Sequence, residues 1–135
     1  SSVGYKQKKK TGILVFFLYF KMKKYDLSEK YYKESIESEP KDFGEKFYKS
    51  EAMCNLGILY EKQGMDEPAV QYYKMGIEYN KHPRSMVHLG KFYQSKEKLD
   101  LAKKYYQMAI NEDYKPAEYL LKRLKNETLN IKMHI

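Results

Sequence analysis

Three adjacent tyrosine pairs, Tyr31-Tyr32, Tyr72-Tyr73 and Tyr105-Tyr106, recur at separations of 41 and 33 residues. Aligned on them, LSEKYYKESIE (Leu27 to Glu37), PAVQYYKMGIE (Pro68 to Glu78) and LAKKYYQMAIN (Leu101 to Asn111) superpose. A small residue (Ser28, Ala69, Ala102) stands four before the second tyrosine and an isoleucine (Ile36, Ile77, Ile110) four after it. Positions i, i+4 and i+8 share one helical face, so each copy reads as an amphipathic helix.

Twelve residues before each pair stands another tyrosine: Tyr19, Tyr60 and Tyr93. The last two close the runs Leu56-Gly57-Ile58-Leu59-Tyr60 and Leu89-Gly90-Lys91-Phe92-Tyr93, with Met53 and Met86 at matching distance upstream. A glycine on one face lets a neighbouring helix come close, which makes these runs the first helix of a pair. Asp26, Glu67 and Asp100 are equivalent in the alignment and complement the positive end of the second helix. At Asp26, Glu29 follows three positions on, as a capping box would have it.

The pattern resembles tetratricopeptide repeats and their relatives, the Sel-like repeats, whose period is near 34 residues and whose signature runs L-G-x2-Y and then A-x3-F. The second copy has Leu56-Gly57-x2-Tyr60 and Ala69-x3-Tyr73, and the third has Leu89-Gly90-x2-Tyr93 and Ala102-x3-Tyr106. The first copy is degenerate, with Val15-Phe16 where Leu-Gly should be, which a terminal repeat tolerates. The resemblance implies an all-α, right-handed superhelical solenoid of about three helix-turn-helix repeats with a C-terminal capping helix. The expected division is a basic segment over 1–10, repeat 1 over 11–38, repeat 2 over 51–82 and repeat 3 over 83–114. Residues 39–50 are an insertion, either a loop or a lengthened helix capped by Asp42; 115–125 form the cap, and 126–135 a frayed tail.

Charge decides which partners such a chain attracts. The net +8 is concentrated in residues 1–24, which carry seven lysines and no acid, while the remaining 111 residues hold 19 basic and 18 acidic side chains. Lysine outnumbers arginine 24 to 2, which argues against bidentate base reading, and a near-neutral body argues against a phosphate-gripping solenoid. Contact with nucleic acid or anionic lipid is therefore expected only at the N-terminal end. Ile13 to Phe20 is the most apolar run, but eight helical residues cover about 12 Å of a bilayer's roughly 30 Å. Its lysine-rich lead resembles a secretory signal, yet no small-residue cleavage site follows. With the single Cys54, this points to an intracellular, reducing, cytoplasmic setting.

No catalytic constellation, metal site or cofactor motif stands out. Cys54 reads as a buried thiol, Gly57, Gly64, Gly76 and Gly90 as helix and turn punctuation, and Glu112-Asp113 as a solvated turn. A non-enzymatic protein–protein interaction module is the expected function, with assembly through Phe16, Phe17 and Phe20 as a further route to partners or self-association.

In the tetratricopeptide family the first helices of successive repeats line a groove that holds a partner segment. By register, the groove positions here are Lys10, Phe17, Phe20 and Lys21 in the first copy, and Glu51, Ile58, Glu61 and Lys62 in the second. The third supplies Arg84, Lys91 and Gln94. The family's clamp for C-terminal carboxylates uses Lys and Asn one turn apart, where this chain has Ile13/Phe17, Cys54/Ile58 and Val87/Lys91. A partner helix or strand suits that mixed surface better than a carboxylate tail.

Overall fold

The computed structural model describes residues 24–134. Helical backbone over 24–37 forms α1, followed by α2 (Phe43–Lys62), α3 (Asp66–Asn80), α4 (Pro83–Ser95), α5 (Leu99–Asn111) and α6 (Pro116–Met133). The helices α2 and α3 pair as one hairpin and α4 and α5 as the next; α3 and α2 both pack on α4, and α6 closes against α5. The fold is an all-α helical-repeat solenoid.

The tyrosine pairs make the hairpins. Tyr73 and Tyr106 are wholly buried, each with its ring where a β-carbon on Gly57 or Gly90 of the partner helix would stand, at 2.6 Å in both cases. The ring replaces the missing side chain, which is why the helices of a hairpin touch there. The first member of each pair stacks instead: Tyr72 lies on Tyr60 at 5.6 Å and 22°, and Tyr105 on Tyr93 at 5.7 Å and 20°. The small residues Ala69 and Ala102 are also fully buried. Leu56 and Leu59 of α2, Tyr73 of α3, and Leu89 and Phe92 of α4 belong to one continuous core that crosses from one repeat into the next.

The turns inside the hairpins repeat as closely. Met65 N donates to Tyr60 O at 2.9 Å, and Lys98 N to Tyr93 O at 2.9 Å, a six-to-one closure that needs a left-handed residue before it. Gly64 takes that conformation at φ 74°, and Glu97 takes it at φ 60° in the second hairpin.

Two expectations about helix ends need correction. Glu29 does not cap α1: the backbone is already helical at residue 24, and the carboxylate accepts from the Tyr60 hydroxyl at 2.6 Å and pairs with Lys33 at 2.8 Å. The expected frayed tail after Lys125 is helical, since α6 continues to Met133. Leu120, Leu124 and Ile131 keep helical spacing across the polar stretch Asn126 to Asn130, and that periodicity carries the helix on. The insertion takes its helical form. Asp42 Oδ1 accepts from Glu45 N at 2.9 Å and starts α2 two turns early, leaving Phe43 and Tyr48 exposed.

Candidate functional site

The first helices of successive repeats leave two clefts between them. The larger, about 760 Å³, runs between α4 and α6. Leu99, Tyr106 and Leu120 give it an apolar lining, the exposed Ile131 extends that lining outward, and Lys91, Glu97, Arg123 and Glu127 add charges of both signs. The smaller, about 260 Å³, lies where α1, α2 and α4 meet, and gathers Ile58 and Lys62 with Asn55 and Arg84.

Lys91 and Gln94 thus share one cleft, and Ile58, Lys62 and Arg84 share the other. Lys10, Phe17, Phe20 and Lys21 lie outside the described residues. Glu61 and Gln94 hold the hairpins from within: Tyr73 Oη donates to Glu61 Oε1 at 2.8 Å, and Tyr106 Oη to Gln94 Oε1 at 2.6 Å. Burial first, and the Glu61 carboxylate second, push the Tyr73 hydroxyl far above its ordinary range; burial pushes Tyr106 up to about 12. Both hydroxyls stay protonated and keep donating.

Glu51 links two repeats. Its Oε2 accepts from Arg84 at 2.9 Å and its Oε1 faces His82 Nε2 at 2.7 Å, while Arg84 also donates to Asn55 Oδ1 at 2.9 Å. His82 Nδ1 stands 2.8 Å from Ser85 Oγ. Serine, histidine and glutamate in this order have the connectivity of a hydrolytic triad, but the Ser85 side chain is wholly buried and His82 is 2% exposed. No substrate reaches that hydroxyl, and the constellation is an inter-repeat tie. Cys54 is equally buried, its thiol pushed up to about 11 by desolvation, so it is held as the unreactive thiol. Among the described residues no cluster of His, Cys, Asp and Glu could hold a metal ion, and no helix is long and apolar enough to cross a membrane.

The register of the repeats does not reach Arg123, which falls in the expected cap, or Glu127 and Ile131, which fall in the expected tail. The spacing of Leu120, Leu124 and Ile131 was the available signal. Sequence reasoning also missed Asn55 and His82, whose partners are 29 and 31 residues away and carry no local mark.

Stacked helical hairpins with clefts between them are the architecture of a helical-repeat scaffold. Two family models, both described as tetratricopeptide repeat, match the chain over residues 17–82 and 83–116. The chain belongs to the tetratricopeptide repeat family, a class of protein–protein interaction module. No curated protein and no solved structure matches it.

Proposed function

We propose that the protein is a non-enzymatic binding module that holds a helix or extended segment of another protein in the groove along α2, α4 and α6. The observation that carries this reading is the cleft between α4 and α6, with its apolar lining and charges of both signs. An amphipathic segment would bury its apolar stripe on Leu99, Leu120 and Ile131 and pair its flanking charges with Lys91, Arg123 and Glu127. Ile58, Lys62 and Arg84 line the second cleft toward α1 and would continue the binding surface there, while Glu51 and Glu61 would act on it through the side chains they hold, Arg84 and Tyr73.

The lysine-rich, acid-free segment 1–24 supports a second reading, a peripheral anchor to anionic lipid or RNA, with the repeats as support. A pull-down washed at low and high salt separates the two, using the full chain, a truncation lacking 1–24, and a Lys91→Glu, Arg123→Glu variant. Groove binding predicts a protein partner that survives high salt and is lost in the charge-reversed variant. Capture of nucleic acid or lipid alone, abolished by salt and by the truncation, would overturn it.

A further inference from the structure

The protonation state of His82 can be read from its neighbours. Its ring caps α4: Nδ1 lies 3.3 Å from Ser85 N and 2.8 Å from Ser85 Oγ, while Nε2 lies 2.7 Å from Glu51 Oε1 on α2. A backbone N–H only donates, so Nδ1 is the nitrogen with the free lone pair and the ring proton sits on Nε2, donated to Glu51. One neutral imidazole therefore ties the first turn of α4 to the preceding repeat. Helix caps are usually Ser, Thr, Asp or Asn, whose acceptor oxygen does not become a donor near neutral pH. An imidazole cap differs, because a single proton on Nδ1 removes the acceptor.

We propose that His82 is a proton-sensitive latch between the second and third repeats, closed while the ring is neutral and released at the start of α4 when Nδ1 takes a proton.

The charged groups acting on the ring are Glu51 from α2, which favours its protonation, and Arg84 from α4, which opposes it. His88, further along α4, is the next titratable group, and Phe47 of α2 covers the ring edge-on at 6.0 Å. Among the described residues no charged group of α3 acts on it. Burial is the largest influence and favours the neutral form, so the latch is closed at neutral pH and opens only in acid. Protonation also sets two cations, His82 and Arg84, on the one Glu51 carboxylate. Arg84 lines the smaller cleft with Ile58 and Lys62, so competition for Glu51 acts on a cation of that cleft's wall.

The test is amide exchange at Ser85 in the full chain, corrected for intrinsic rate, from about pH 7 to about pH 4.5. The comparison is a His82→Asn variant, which keeps a capping acceptor that does not titrate and leaves Glu51 and His88 in place. Protection at Ser85 is expected to fall by about fivefold more in the parent than in the variant, the scale of one lost cap. An equal fall in both would overturn the latch. Imidazole nitrogen shifts of the parent chain at neutral pH give a second check that needs no variant: an Nε2-protonated ring is expected, and an Nδ1-protonated one would overturn the proposal.

Discussion

The ring of Tyr73 occupies the place of a β-carbon on Gly57, with ring atoms 2.6 Å from where that carbon would be. Tyr106 does the same at Gly90. Alanine at either glycine gains about 1 kcal/mol of helix propensity but forces a buried ring to move, which costs about 1–3 kcal/mol. Gly57→Ala and Gly90→Ala are each expected to lower stability, by up to about 2 kcal/mol in urea unfolding. A neutral or stabilising result for both would show that the rings can give way.

The two buried hydroxyls meet different acceptors, a carboxylate for Tyr73 and an amide for Tyr106. Hydrogen bonds to charged groups are roughly twice as strong as neutral ones. Tyr73→Phe is therefore expected to cost about 1.5–3 kcal/mol and Tyr106→Phe about 0.5–1.5 kcal/mol. The comparison is made cleanest by repeating Tyr73→Phe in a Glu61→Gln background, where the difference between the two sites should largely disappear.

Glu97 holds the left-handed conformation that Gly64 holds in the preceding hairpin. A residue with a β-carbon pays a steric penalty of about 1 kcal/mol there, and glycine does not. Glu97→Gly is expected to raise the unfolding midpoint by the equivalent of up to about 0.5 kcal/mol, less than the full penalty because glycine also loosens the unfolded chain. A lowered midpoint would mean that the Glu97 side chain holds the turn in another way.

His88 stacks on Tyr73 at 5.9 Å, and burial, followed by Arg84 and Lys91, pulls its pKa down to about 4. The unfolded chain has an ordinary histidine near 6.5 and so binds the proton first. Its contribution to stability is full above about pH 6.5 and is lost as pH falls from there toward 4. His88→Phe keeps the stack and removes the titration. Urea midpoints measured at about pH 7 and about pH 5 should diverge less in that variant than in the parent. An unchanged divergence would assign the acid sensitivity to other groups.

The repeats were legible because tyrosine, glycine and alanine stand at intervals that helix geometry converts directly into contacts. Asp42 was legible as a cap because its partner, Glu45 N, lies within the same turn. What was missed depends on pairs far apart in the chain. Nothing near Glu29 says that it will meet Tyr60, 31 residues on, and nothing near Glu51 says that it will be shared by His82 and Arg84. Of the side chains that line the two clefts, Ile58, Lys62, Arg84, Lys91 and Gln94 could be named by register alone. The wall supplied by α6 was obscured by the polar run from Asn126 to Asn130, where composition suggested an ending and the helical spacing of the neighbouring leucines did not.

The early start of α2 has a consequence for direction. Helix α2 has 20 residues, α4 has 13 and α6 has 18, so the steps along the stack are of unequal length. A ligand lying along identical hairpins could slide by one register or reverse at little cost. With one step longer than the next and edged by Phe43 and Tyr48, neighbouring registers are not equivalent, so in the proposed binding mode a segment would meet a different surface at each register and in each orientation.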